Sequence, residues 1–173
     1  MDLGTIIFFL IIIPFVIGWF SMAPWVPTKK RDVERLLDIL EIDNRKRFLE
    51  IGTWDGRVAY AVAKRFPDIQ VYGIEIAFPM FCIAYMRNII PRQHNYHVRL
   101  ANAFREDFWN YDSIYVFWMP DKMQKKIVPK FLKEAKKWAK LYSYVFSIPE
   151  WYNQYAKSYG QENEARIHVL EKK

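Results

Sequence analysis

Apolar and polar positions follow three rhythms along this chain. Residues 3–20 carry no charge, and the uncharged run continues to Thr28. At about 1.5 Å per residue such a stretch crosses the roughly 30 Å hydrocarbon layer of a bilayer. Pro14 is tolerable in a membrane helix, and Trp19 and Trp25 suit an interface. After Thr28, placed as an N-cap, Val33, Leu36, Leu37 and Leu40 recur at helical spacing, and a polar stretch over 41–47 breaks that helix. From there short apolar runs alternate with helical patterns. Strands are expected at 48–51, 69–75, 96–100, 113–118 and 141–146, with a last one at 165–170. The first intervening helix sets Val58, Ala61, Val62 and Phe66 on one face and stops at Pro67-Asp68. A second covers about 79–88, and a long basic helical region covers about 122–140, which Pro129 is expected to kink or split.

Strands alternating with helices of this length imply an α/β fold, a parallel sheet covered on both faces, with the final strand added at an edge. The predicted organisation is a transmembrane anchor over 1–23 and one domain over 24–173. A composition of 52% hydrophobic and 18% aromatic residues excludes disorder. The net charge of +7 makes an anionic surface a plausible neighbour without saying whether it is lipid or nucleic acid. Cys82 is the only cysteine, so no intrachain disulfide forms. The apolar run opens with Asp2 and ends in Trp25-Val-Pro27, unlike a cleaved signal peptide. Lys29, Lys30, Arg31 and Arg35 follow it, which by the positive-inside rule places the domain in the cytoplasm as part of a single-pass membrane protein. The same cations suit anionic head groups.

The chemistry concentrates in Arg47-Phe-Leu-Glu-Ile-Gly-Thr-Trp-Asp-Gly-Arg57. This reads as a strand, a turn in which Gly52 and Gly56 let the backbone fold sharply and a ligand approach, and a helix start with free N–H groups. Glu75 ends the next strand roughly 20 residues on, where a carboxylate accepts hydrogen bonds from ribose hydroxyls. Bound adenosine is the inference. A dinucleotide is disfavoured because Trp54 and Arg57 stand where a pyrophosphate needs glycine. His94 and His97 lack a cysteine or acidic partner nearby, so no metal site is expected. Neither a Ser-His-Asp signature nor a Walker loop is present.

Glu50-x-Gly52-x-x-x-Gly56 resembles the first motif of class I S-adenosylmethionine-dependent methyltransferases. The resemblance implies a Rossmann-like sheet and S-adenosylmethionine as cofactor. It implies Glu50, Gly52, Thr53, Asp55 and Gly56 at the turn, Glu75 at the ribose, and Asn102 with Ala103 beside the adenine. A narrower similarity rests on Pro24-Trp-Val-Pro-Thr28, Glu50-Ile-Gly-Thr-Trp-Asp-Gly-Arg57, Phe117-Trp-Met-Pro120 and Ile148-Pro-Glu-Trp151. It is to membrane-associated protein-lysine methyltransferases, whose mitochondrial members modify the adenine nucleotide translocator and the c subunit of ATP synthase. Such a resemblance implies a lysine of a membrane protein as acceptor and membrane lipid as partner through the amino-terminal helix. Trp54 departs from the glycine usual there, and the short tail leaves one late strand unaccounted for.

Methyl transfer to lysine needs an in-line approach, a desolvated amine and aromatic faces for the cation. Trp118, Pro120 and Asp121 after the fourth strand, with Trp151 after the fifth, are the candidates for that wall. Two other readings stay open. Leu49-Glu-Ile-Gly, Pro67-Asp68 and Gly73-Ile-Glu-Ile76 also resemble tRNA guanine-N7 methyltransferases, against which the membrane segment speaks. The other is a non-catalytic membrane-tethered binding protein of the same fold.

Overall fold

The computed structural model describes residues 2–9, 12–13, 27–43, 46–90, 93–148 and 156–173. Strand β1 (Arg47–Ile51) lies between β2 (Gln70–Glu75) and β4 (Ser113–Val116); β3 (Tyr96–Leu100) lies outside β2, and β5 (Lys140–Tyr144) outside β4. These five strands are parallel. Strand β7 (Ile167–Glu171) then pairs antiparallel with β5, and β6 (Ala156–Tyr159) antiparallel with β7, so the order is β3-β2-β1-β4-β5-β7-β6. Chain direction out of β1 reverses between β1 and β4. Ligands bind beyond the carboxyl ends of strands at such a switch point.

Each strand of the centre is buried on both faces, which is why it reads as a continuous apolar run. Period-two alternation sorts its side chains. Phe48, Val71, Tyr115 and Tyr142 pack with Val33 and Leu36 of α1 (Lys30–Ile39) and Val58 and Val62 of α2 (Arg57–Arg65). Leu49, Ile51, Ile114 and Val116 pack on the other face with Met123, Ile127 and Phe131. Helix α3 (Phe78–Ile89) covers β3 and β2 and buries only Met80 and Ala84 of its apolar residues. A single helical turn (Pro120–Lys122) and a π turn (Met123–Ile127) lead into α4 (Val128–Glu134), with Pro129 in its first turn, where no intrahelical N–H is needed.

Several expectations are corrected. The basic helical region is not split at Pro129: Ile127 and Val128 keep right-handed helical angles as the π turn passes into α4, and the helix ends instead at Glu134; Trp138 takes a left-handed turn (φ 68°) and Lys140 already belongs to β5. The last strand is not at an edge, because β7 is inserted between β5 and β6. The late strand thought missing is β6, whose polar Ala-Lys-Ser-Tyr pattern hid it. Thr28 does not cap α1; its hydroxyl is buried against the Tyr115 hydroxyl at 2.9 Å. Among the described residues no helix is long and apolar enough to cross a membrane. The expected anchor over 1–23 lies largely outside the described residues, of which 3–9 and 12–13 are helical.

Asp32 ties α1 to the sheet. Its buried carboxylate accepts from the Tyr144 hydroxyl at 2.7 Å and from Arg35 at 3.0 Å. Burial opposes ionisation, but the Tyr144 and Arg35 hydrogen bonds and the charges of Arg31 and Arg35 outweigh it and hold the carboxyl below its usual range. A depressed carboxyl pKa stabilises the fold above the unfolded value and loses that stabilisation as pH falls through the folded one. Asp32→Asn is therefore expected to lose ~1.5 to 3 kcal/mol at neutral pH. Urea unfolding should show the gap to the parent closing below about pH 3.9.

Candidate active site

The loop after β1 is built on one carbonyl and two carboxyl groups. The carbonyl of Ile74 in β2 accepts from the backbone N–H groups of both Gly52 and Thr53 at 2.9 Å, bending the chain across the end of the neighbouring strand. Gly52 and Gly56 take the left-handed φ values of 69° and 74° that the bend demands. A Cβ on Gly52 would come within 3.1 Å of Trp118 Nε1, and one on Gly56 within 2.6 Å of the Tyr96 hydroxyl. The first glycine thus lets the Trp118 indole, just beyond β4, pack against the turn. The second lets α2 and α3 approach.

Glu50 lies beneath this turn. Its Oε2 accepts from the Thr53 hydroxyl at 2.6 Å and from the Ala59 N–H at 2.8 Å, joining β1, the turn and the first turn of α2. Burial raises its pKa to about 8, against the hydrogen bonds from Thr53 and Ala59 and with help from the negative charges of Asp55 and Glu75. Thr53 in turn presses on β2, where a Cβ at Gly73 would meet its hydroxyl at 2.7 Å.

Glu75 is buried at the carboxyl end of β2. Its Oε2 accepts from the Trp54 N–H at 3.0 Å, and its Oε1 from those of Ile76 and Ala77 at 2.8 and 2.9 Å. A carboxylate offers about four acceptor positions, so about one remains for a ligand hydroxyl. Burial raises the Glu75 pKa, although the three backbone donors favour the ionised form.

The other expected cofactor residues fall in different places. Asp55 points sideways: its carboxylate accepts from Arg57 (2.8 Å) and Arg87 (2.9 Å), and those cations, against the effect of burial, lower its pKa. Asn102 accepts the Phe104 N–H at 2.9 Å, closing the loop beyond β3, and Ala103 is buried within it. Both stand at the carboxyl edge with Glu75, whose carbonyl accepts the Ala101 N–H. Of the acceptor wall, Trp118 is buried in the core with Met123 and Ile148. Pro120 and Asp121 are exposed, Asp121 pairing with Lys125 at 3.2 Å. Trp151 lies outside the described residues. Sequence reasoning passed over Phe104, whose ring meets Trp118 edge-on at 5.7 Å and carries Lys126 over its face at 5.1 Å. An aromatic two residues past Asn102 was the available signal. Among the described residues no cluster of His, Cys, Asp and Glu could hold a metal.

No family model matches the chain. A protein-lysine N-methyltransferase of Saccharolobus islandicus (strain REY15A) is 26% identical over 133 residues, covering 75% of this chain and 80% of its own length. An RNA methyltransferase from Salinibacter ruber, solved in complex with S-adenosyl-L-homocysteine, superposes with a TM-score of 0.75 at 20% identity, over 84% of this chain and 93% of its own. The chain has the class I methyltransferase fold. A precorrin-6y C5,15-methyltransferase from Geobacter metallireducens GS-15 shares it, with a TM-score of 0.67 at 12% identity over 89% of this chain and 94% of its own. In this methyltransferase fold the bent loop, Glu75 and the segment after β3 form one rim, which is where S-adenosylmethionine would be held. Gly52 lets the loop bend against the Trp118 indole, and Glu75 keeps an acceptor position.

Two substitutions check the loop. Gly56→Ala combines a left-handed φ with a 2.6 Å clash, and is expected to destabilise by ~1 to 3 kcal/mol in denaturant unfolding. For Glu50 the sign is opposite to that of Asp32. With a folded pKa of about 8, the native protein retains a proton that the unfolded chain has released, so stability falls as pH rises from about 4.3. Glu50→Gln should flatten that slope, and parallel urea profiles for parent and variant between pH 5 and 8 would refute the assignment.

Proposed function

We propose that this protein is an S-adenosylmethionine-dependent protein-lysine N-methyltransferase, held at a membrane by its uncharged amino-terminal segment and acting on a membrane protein from the cytoplasmic side. The observation that carries the reading is the rim of Gly52, Glu75 and Asn102 in a chain similar, over most of both lengths, to a protein-lysine N-methyltransferase. Bound S-adenosylmethionine supplies a methyl group on a sulfonium sulfur. The residues of this chain do the rest. The Ile74 carbonyl and the Glu50 and Glu75 carboxyls hold the loop, and the free acceptor position of Glu75 takes a ribose hydroxyl. Phe104, half-buried and backed by the core residue Trp118, offers the aromatic face on which an acceptor amine sheds water, which lowers its pKa toward the reactive neutral form. Pro120, Asp121 and Trp151 complete the proposed wall. Lipid contacts come from the segment before Thr28 and from Lys29, Lys30 and Arg31, all three exposed.

A second reading, methylation of RNA, is favoured by the Salinibacter ruber structure and by the net charge of +7. The two separate experimentally. Calorimetric titration of the full chain in detergent with S-adenosyl-L-homocysteine should show binding, and Glu75→Ala should weaken it by about tenfold or more. Cofactor labelled in its methyl group, incubated with membranes and with total RNA, should mark a membrane protein at lysine. Label in RNA alone would overturn the lysine assignment, and failure to bind would overturn both.

A further inference from the structure

Helix α3 is built the wrong way round for water. Its inward row is Met80 and Ala84. The outer face, at three- and four-residue spacing, is Phe78, Cys82, Tyr85, Met86 and Ile89, followed by Ile90 at the cap. Phe78 is 58% exposed, Met86 60% and Ile90 75%. Phe78, Phe81 and Tyr85 stack along the helix with ring centroids 6.2 and 5.9 Å apart. Arg87 is the single charged residue of α3, and it is turned back onto Asp55, whose carbonyl accepts from its Nε at 2.6 Å. An apolar helix face of this extent in a soluble protein marks a contact surface.

Three observations say what covers it. The outer face offers no charged group, and besides the Tyr85 hydroxyl and the half-buried Cys82 thiol no polar one until its carboxyl-terminal end, where Tyr85 and Ile89 border a pocket with Asn88, Gln93, His94 and His97; protein interfaces carry about one hydrogen bond per 100–200 Å². The uncharged run enters the domain at Thr28, whose carbonyl accepts from Arg57, and Arg57 shares the Asp55 carboxylate with Arg87 of α3. One carboxylate therefore ties the root of the apolar segment to this helix. Lys29, Lys30 and Arg31 stand exposed at that root, as the polar flank of a lipid-bound surface does.

We propose that α3 lies in the bilayer interface, with Phe78, Cys82, Tyr85, Met86, Ile89 and Ile90 in the boundary between head groups and acyl chains. This rests on the membrane reading above and gives it a geometry. Because α3 starts two residues beyond Glu75, the rim that takes the cofactor is held at the lipid surface. The enzyme then reaches lysines that lie at head-group depth.

The lone cysteine supplies the probe. The full chain is labelled at Cys82 with an environment-sensitive fluorophore and reconstituted in vesicles of phosphatidylcholine and phosphatidylglycerol. Sedimentation with the vesicles reads the anchor; quenching reads α3. The expected result is co-sedimentation, strong quenching by nitroxide-labelled lipid, and iodide quenching at least about fivefold weaker than in the Met86→Glu/Ile89→Glu variant. That variant changes only exposed positions and should still bind S-adenosyl-L-homocysteine. Co-sedimentation with undiminished iodide quenching would overturn the α3 proposal and leave the anchor standing. Protection from iodide that is complete before vesicles are added would show protein covering the face, whether the amino-terminal segment or a second copy, and would overturn it too. Failure to sediment would overturn the membrane reading itself.

Discussion

The hydrogen bond from the Trp54 N–H to the Glu75 carboxylate joins the two halves of the candidate site. β1 and β2 are paired along their length, but the segments that leave them have no ladder to hold them. The carboxylate replaces that ladder. It gathers donors from the β1 loop and from the residues leading into α3, so that three half-buried backbone N–H groups at a strand end are satisfied by one side chain. Trp54 takes a φ of 52° to reach it, a conformation unusual for an aromatic residue, and the arrangement stands because Gly52 and Gly56 bend on either side. Loop position, carboxylate orientation and helix entry are thus one constraint.

A buried carboxylate with three donors would be a structural device and nothing more if Glu50 were not beside it. Glu50 does the same work on the opposite side of the loop, tying Thr53 and Ala59, and with a pKa near 8 it carries little charge at neutrality. Two ionised carboxylates under one loop would repel, and burial raises both. The three backbone donors of Glu75 oppose that rise and favour its ionised form at the strand end, where the sheet geometry brings a ligand.

What was legible in the sequence follows from how local each cause is. β1, β2, β4 and β5 were readable within a residue or two because burial at the sheet centre writes short apolar runs, and β3 was placed at its observed bounds although it is the half-exposed edge strand. β6 was not, since Ala156 to Tyr159 is half solvated and polar. The position of β7 inside the sheet is a property of pairing, invisible along the chain. Thr28 carries a capping residue's signature, but Tyr115, 87 positions away, takes its hydroxyl. Asp55 has the motif spacing of a cofactor ligand; its neighbour Arg57 could have warned otherwise, while Arg87 arrives only through packing of α3.

The apolar character of α3 bears on which acceptor the fold serves. Nucleic acid is gripped by cations spread over a face, so an RNA enzyme would be expected to line the rim near Glu75 with lysine and arginine. Here the helix that starts at that rim presents phenylalanine, methionine and isoleucine, and its one arginine is committed to Asp55. Of the lysines from Lys122 to Lys137, Lys125 and Lys126 stand at the turn after β4, paired with Asp121 and set over the Phe104 ring, whereas Lys136 reaches Asp112 at the opposite end of that strand. The mouth of the crevice thus joins an apolar face at α3 to a basic turn after β4. The apolar side of that mouth suits an acceptor delivered from lipid, which is the reading proposed above, because no cation of α3 is left to meet a phosphate backbone there.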